Sequence, residues 1–420
     1  MRYRVGAAVL LVSLVAALPG CTEEASEETY AWCEVYPPTF GGSLVAVSFP
    51  EPLVGTVVGG IYRTTNGGVS WTDQEGPDGY RIYSDVMFTD VSTGTIVGRT
   101  GTILRTTNGG DTWTAQDSGT EATLNGVSFA DSSTGTAVGS DGTIVHTTDG
   151  GDTWVLQESG TDAALLGVWS SDANTATVVG GLGTILRTAD GGATWVAQEG
   201  GGELGLTAVS FGSSTTGVVV SWEGVVLRTT DGGATWTEVD NYSPVPLHDV
   251  WFADPNVGTI VGASGTILRT TDGGATWAYE LSDAAYWYYG TTGSEPVRAG
   301  ETFNGVSMAD TDNGVAAGGS WSVVRRMTVP DNYGVCDPLC AKGEECYPGE
   351  NAGCDVDCLC NLRYHYNIRP ECEQAVVESA RCFMALTCEQ IDAWWDDPNN
   401  HPCTAAERQI DIACAEEPPS

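Results

Sequence analysis

The 420-residue sequence predicts an all-β fold with a small disulfide-rich appendage, and three observations predict it. The octapeptide Thr-Thr-Asp-Gly-Gly-Ala-Thr-Trp at 229–236 returns at 270–277, with variants at 64–71, 106–113, 147–154 and 188–195. Its tryptophans, Trp71, Trp113, Trp154, Trp195, Trp236 and Trp277, are spaced by 42 residues once and by 41 thereafter. A second marker places Val at 47, 86, 127, 168, 209, 250 and 306, which makes seven units. Glycine, at 55 residues, is about twice the usual share of roughly 7 % and lacks a collagen triplet, so it marks turns. A period near 41 with several short strands per unit is the pattern of propeller blades.

The elements follow in chain order. Arg2 and Arg4 precede an apolar run from Val5 to Ala17, too short to span a bilayer as a mature helix. The run ends in Leu18-Pro19-Gly20-Cys21. Residues 1–20 thus read as a signal peptide, and the closing Cys resembles a bacterial lipobox, which implies lipidation of Cys21. Residues 21–29, with four Glu, read as an acidic tether. The chain is then expected at the bacterial envelope, at the outer membrane or cell surface, with membrane contact through lipid alone.

Residues 30–330 carry the repeats. In one unit, Leu124–Phe129, Thr136–Val138, Thr143–Thr147 and Thr153–Gln157 read as strands, separated by turns rich in Asp, Ser and Gly. Four strands on tight turns make one antiparallel blade, and no room remains for the crossover helices of a parallel sheet. The seventh unit has strands around 302–308, 314–317 and 322–327 but lacks the octapeptide and a fourth strand. Trp32-Cys33-Glu34-Val35 matches Trp236-Thr237-Glu238-Val239, the fourth strand of unit five. The sequence therefore predicts a seven-bladed β-propeller of four-stranded blades, closed by an N-terminal strand. Closure removes an exposed sheet edge.

The repeated Thr-x-Asp-x-Gly-x-Thr-Trp resembles the Asp-box of BNR-repeat propellers. With the preceding Gly-Thr-Ile-Leu-Arg it resembles most the photosystem II assembly/stability factor family, over about residues 30–330. That resemblance implies a non-enzymatic module that assists membrane-protein assembly. The box residues are Asn66, Trp71, Asn108, Trp113, Asp149, Trp154, Asp190, Trp195, Asp231, Trp236, Asp272 and Trp277. Their expected work is structural: the Asx side chain accepts backbone N–H bonds and the glycines permit positive φ.

Residues 331–420 form a Cys-rich module. Of the 13 Cys, Cys21 is assigned to lipid, which leaves an even 12. Cys336, Cys340, Cys346, Cys354, Cys358, Cys360, Cys372, Cys382, Cys388, Cys403 and Cys414 lie in the tail, and Cys33 lies in the closing strand. In an exported chain this parity reads as disulfides. Because eleven is odd, Cys33 is expected to bridge to the tail, with Cys336 the preferred partner. Zinc fits less well, since the spacing lacks paired C-x2-C knuckles. Loops are expected over 336–360 and helices near 371–395 and 404–414. The module is expected to serve as an interaction or spacer domain.

Composition bears on partners. Seventeen bases against 55 acids give a net charge of −38, a surface that repels nucleic acid. No cofactor or metal pattern stands out. The step from Val250 to Val306 is 15 residues longer than the repeat, and the excess falls after Trp277. This insert brings Tyr279, Tyr286, Trp287, Tyr288 and Tyr289 to the face carrying the fourth-to-first and second-to-third strand loops, where Trp222, Tyr242 and Trp321 also fall. Such aromatics suit a patch for an envelope protein or a surface glycan, unless the insert folds down and buries its own rings. Arg63, Arg105, Arg187, Arg228, Arg269 and Arg325 recur at one repeat position, where pairing with acids across blades is the expected role. A monomer is expected.

The competing class is a glycoside hydrolase. No arginine cluster of the sialidase kind is recognisable. Asp85 and Asp249, however, replace the small residue (Gly126, Gly167 or Gly305) of the inner strand in units two and six. Those units stand nearly opposite in a ring of seven, and paired carboxylates across a cleft can do acid/base work. The alternative is that each accepts local hydrogen bonds.

Overall fold

The computed structural model of the chain describes residues 29–34, 43–68, 70–77, 82–241, 243–280, 285–288, 297–300, 302–319 and 322–329. Among them are seven four-stranded antiparallel sheets and one two-stranded hairpin, Ala285–Tyr288 with Val297–Gly300. Blade 3 shows the regular plan: Leu124–Phe129 innermost, then Gly135–Gly139, Ile144–Thr147 and Val155–Gln157 outermost. The other inner strands are Ala46–Glu51, Tyr83–Phe88, Leu165–Ser170, Leu206–Phe211, Leu247–Phe252 and Phe303–Met308, for blades 1, 2, 4, 5, 6 and 7. The predicted strands match these within one or two residues.

Burial follows position across the blade. The second strand of blade 3, Gly-Thr-Ala-Val-Gly, is buried throughout, while Val155 and Leu156 of the outermost strand are exposed. A second strand is covered on both faces by neighbouring blades, so it carries apolar side chains and Thr without alternation. The cores lie between blades. Val97 and Ile103 of blade 2 pack with Leu124, Val127, Phe129, Val145 and Trp154 of blade 3. Trp154 meets Phe129 edge-on, centroids 6.0 Å apart, and the pairs Phe49–Trp71, Phe88–Trp113, Phe211–Trp236 and Phe252–Trp277 repeat that geometry. Such pairs contribute about 0.5–1.5 kcal/mol each beyond their buried area.

The Asp-box turns are built as predicted. Asp149 accepts the Thr153 N–H at 2.9 Å, the Thr153 hydroxyl at 2.6 Å and the Thr147 hydroxyl at 2.8 Å. Gly150 and Gly151 sit at φ 74° and 91°, conformations that favour glycine. In the Asn copies, the Asn66 amide nitrogen donates instead to the Ser70 hydroxyl. The arginine ring does connect blades; an acid across the blades is the partner at Arg105, while most of the others reach backbone carbonyls. Arg63 donates to the Val91 carbonyl, Arg228 to that of Gly273, Arg269 to that of Thr311 and Arg325 to that of Gly67. Arg105 pairs with Asp152. Turn carbonyls left unpaired by tight hairpins suit a guanidinium with several donors.

Blade 7 closes the ring with Thr29–Glu34 beside Val323–Val329. Cys33 stands opposite Arg325, as Thr237 stands opposite Arg228 in blade 5, so the predicted alignment holds residue for residue. Trp32 fills the place of a box tryptophan, 1 % exposed, within the core of Phe303, Val306, Met308 and Val324. Its indole N–H donates to Glu280 of blade 6 at 2.6 Å. Glu280 also pairs with Arg326 at 3.2 Å and Arg269 at 3.7 Å. The Cys21 anchor, the side chain of Cys33 and the whole Cys-rich tail lie outside the described residues.

Candidate functional site

The seven inner strands surround a central channel, and in blades 2 to 7 each carries a bulge two residues from its start. A bulge adds an unpaired residue and re-aims its neighbours. Here it places a polar group against the next blade. Asn125 donates to the Leu165 carbonyl, Thr207 to that of Leu247 and Asn304 to that of Leu44, at 2.7–3.0 Å. His248 lies 2.8 Å from the Phe303 carbonyl. Further along the inner strands, the hydroxyls of Ser48, Ser128, Ser210 and Ser307 accept N–H groups of Phe88, Ser170, Phe252 and Phe49 at 2.9–3.1 Å. Neighbouring blades are thus strapped together around the lumen.

Asp85 and Asp249 line this channel, as their sequence position implied. Asp85 accepts the N–H of its neighbour Val86 and, with its other oxygen, that of Val127 in blade 3, both at 2.8 Å. Asp249 does the same with Val250 and with Val306 of blade 7, also at 2.8 Å. The local-bond alternative therefore describes both residues, and each carboxylate straps two blades. Both sit deep in the ring, where burial pushes the Asp85 carboxyl up to about 7 and that of Asp249 to about 6. The negative charge of Asp249 adds to the rise at Asp85. Gly126 and Gly305, which precede the donors Val127 and Val306, lie close against the next blade. A Cβ on Gly126 would come within 2.8 Å of the Leu166 carbonyl oxygen, and one on Gly305 within 3.0 Å of the Ala46 Cα.

Two residues further along the inner strands, Trp169 of blade 4 and Trp251 of blade 6 meet edge-to-face with centroids 5.6 Å apart. They stand where four other blades have serine. Sequence reasoning passed over them, although the break from Ser48, Ser128, Ser210 and Ser307 to Trp was readable. The channel bounded by these groups encloses about 190 Å³.

The loop face holds the other candidates. Trp222, at the second-to-third turn of blade 5, is 50 % exposed, and its ring packs on His248 at 4.8 Å. Leu182 occupies the matching turn of blade 4, 81 % exposed with φ 55°, where other blades carry Thr100, Asp141 and Ser264. A large apolar side chain in that left-handed position is uncommon. The insert forms the hairpin foreseen only as a loop. Its strands include Tyr286, Trp287 and Tyr288 as backbone, opposite Ala299, Arg298 and Val297. Tyr279 is not in the insert: it belongs to the outermost strand of blade 6, opposite Leu268. Tyr242, Tyr289 and Trp321 lie outside the described residues. Among the described residues, no group of three or more His, Cys, Asp or Glu is placed to hold a metal ion.

Comparison with known proteins agrees with this architecture. The family model "Photosynthesis system II assembly factor YCF48" matches residues 77–198 and 154–246. No curated protein matches the sequence. Among solved structures, a YCF48 bound to a D1 peptide is 18 % identical, covering 71 % of this chain and 96 % of its own, with a TM-score of 0.57. YCF48 from Cyanidioschyzon merolae is 19 % identical, with 71 % and 99 % covered and a TM-score of 0.56. A GH74 enzyme from Niastella koreensis is 16 % identical, with 70 % and 53 % covered and a TM-score of 0.54. The chain is a seven-bladed propeller that resembles the photosystem II assembly factors.

Proposed function

We propose that this assembly-factor-like propeller is a non-enzymatic binding module, tethered to the bacterial envelope by lipid on Cys21, that engages another envelope protein through its loop face. The observation that carries this reading is the exposed apolar pair Trp222 and Leu182 on neighbouring blades of that face. Leucine gains nothing from the turn position it holds, and a half-exposed indole is a typical interface anchor. The aromatic hairpin insert joins the same face. A similar propeller has been solved with a peptide bound, which supports a polypeptide partner over a glycan.

The test is crosslinking and co-purification from intact envelopes. Wild type is expected to capture a discrete partner, and the Trp222→Ala/Leu182→Ser variant to lose it while keeping its melting temperature. Equal capture by both proteins would refute the loop-face reading. Hydrolysis of a glycan is the second reading, supported by the fold of the GH74 enzyme and by the Asp85–Asp249 pair. Against it, every carboxylate oxygen of that pair already accepts a backbone N–H. Glycan turnover that disappears in Asp85→Asn would favour it.

A further inference from the structure

We propose that the central channel is a binding site for an organic cation, an ammonium or guanidinium group held between the Asp85 and Asp249 carboxylates and the Trp169–Trp251 pair. Four observations meet there. The lumen encloses about 190 Å³. One water in bulk takes about 30 Å³, so a chain of roughly four to six heavy atoms fits. Among the described residues its lining has two carboxylates, Asp85 and Asp249, from nearly opposite blades, and Asp85 senses the charge of Asp249 across the lumen. Their backbone bonds fill one lone-pair site on each oxygen, and a carboxylate has about four such sites. The remaining sites are available to a donor in the channel.

The tryptophans complete the chemistry. Asp249 and Trp251 are two residues apart on one strand, so their side chains share a face about 7 Å apart along it. A cation at the level of the carboxylates lies above an indole pair, and an indole face attracts an ammonium or guanidinium, most strongly where water is excluded. A bare metal ion fits less well, because two carboxylates supply fewer oxygens than calcium or magnesium takes. The mouth is also suited to a cation. It bears His248, whose ring meets that of Trp222 edge-on. The fourth-to-first strand loops on that face carry the exposed Glu75, Asp117, Glu121, Glu158, Glu199 and Glu203, against the exposed Arg99 of a second-to-third turn. A positive group is drawn toward such a rim.

The cation has two possible sources with the same chemistry: a Lys or Arg side chain of a docked polypeptide, or a free amine. The polypeptide source rests on the loop-face reading above; the free-amine source does not. The experiment is titration calorimetry on the full chain at pH 8, where the carboxyls are ionised. The probes are n-butylammonium, spermidine, n-butanol, a Gly/Ser peptide with one Lys, and that peptide with acetyl-lysine. The ammonium probes are expected to bind at least tenfold more tightly than n-butanol, and Asp249→Asn to weaken them at least tenfold. Trp251→Leu supplies a second variant that leaves the backbone straps in place, with an expected loss of threefold or more.

Tighter binding of the Lys peptide, weakened by Trp222→Ala, identifies a partner side chain. Tight spermidine with a silent peptide identifies a free amine. Ammonium binding no stronger than n-butanol in the wild-type protein overturns the proposal, whatever the variants do. Loss of partner capture in Trp222→Ala together with normal amine binding leaves the channel site standing apart from the docking face.

Discussion

Blades 3 and 7 occupy equivalent places in one ring and are held together by different means. In blade 3 the third and fourth strands are joined by an Asp-box turn, and Asp149, Thr147 and Thr153 fix the hairpin locally. In blade 7 the fourth strand comes from the far end of the chain, so no covalent turn exists. Arg326 stands opposite Gly314, the register in which Thr147, the first residue of the box, stands opposite Gly135. Glu280 stands where blades 1 to 4 carry Gln74, Gln116, Gln157 and Gln198. Gln157 accepts the indole N–H of Trp195 in the next blade, and Glu280 accepts that of Trp32. Gln74 likewise faces the indole N–H of Trp113, whereas Gln116 and Gln198 donate to carbonyls of their own strands, so the position reaches the next blade in some copies, and where the chain is discontinuous its amide has become a charge. A long-range ion cluster replaces a local turn.

That difference predicts where the molecule breaks first. Removing the closing strand, by starting the chain at residue 39, is expected to have the largest effect. It exposes the edge Val323–Val329 and the core that Trp32 seals. Even Trp32→Ala alone should cost about 3–5 kcal/mol. Melting by circular dichroism together with size exclusion checks this: unchanged melting and a monomeric profile for the truncated chain would remove the closure argument.

Glu280→Ala follows closely. It leaves Arg326, whose side chain is 5 % exposed, with the distant Asp312 carboxylate at 3.6 Å and carbonyls of Thr311 and Asp312. Breaking a buried pair from one side costs about 3–5 kcal/mol. Asp152→Ala removes the half of the Arg105 pair that is 66 % exposed and should cost under about 1 kcal/mol. Urea unfolding of the two variants side by side tests the contrast. Equal losses would mean that the clasp is no stronger than a surface ion pair.

How much of this was readable follows from the range of each interaction. The six boxes and their 41-residue period fixed blade number and strand order, because turn chemistry is local and repeats. Even the closing strand was readable, since Trp32 copied a repeated position. Glu280 and Arg326 stood in plain view as departures from the repeat, yet their meaning depends on which blades meet when the ring closes. The channel was half readable. Asp85 and Asp249 appeared as departures from Gly, while the backbone groups they bind lie about 42 and 57 positions away. Trp169 and Trp251 gave no signal as a pair, because nothing local says that blades 4 and 6 face one another across a serine.

A third contrast separates the box carboxylates from the channel carboxylates. Asp149→Ala is expected to lower stability measurably, because it leaves the Thr153 N–H and the Thr147 and Thr153 hydroxyls without their acceptor. Asn66→Ala in blade 1 tests whether the neutral copies carry the same load, since Asn66 accepts the Ser70 N–H at 2.9 Å in the same way. Chemical unfolding of both variants should give losses of similar size. A loss confined to Asp149 would assign the stability to its charge.

The smallest effect expected is one of pH, and its sign differs between the two sets of carboxylates. Hydrogen bonds from the Thr153 and Thr235 hydroxyls, followed by their N–H groups, lower Asp149 and Asp231 to about 2. Those groups stabilise the fold above the ordinary carboxylate pKa and lose that contribution as the pH falls toward 2. Burial raises Asp85 to about 7 and Asp249 to about 6, so between about pH 4 and 7 the folded chain holds more protons than the unfolded chain. Stability from these two is present below about pH 4 and is lost as the pH rises through 6 and 7. The wild-type melting temperature should therefore fall on going from pH 5 to pH 8. The slope should flatten in the Asp85→Asn/Asp249→Asn protein, which cannot ionise and whose single amide oxygen can accept only one of the two backbone N–H groups at each site, so its overall stability is lower while its pH dependence is lost. His248, the other titratable group on the channel, is pushed down by burial, so it is neutral over the upper part of this range and cannot reproduce the slope. A double variant with the wild-type slope would place the titration elsewhere in the ring and free the channel carboxylates from any part in it.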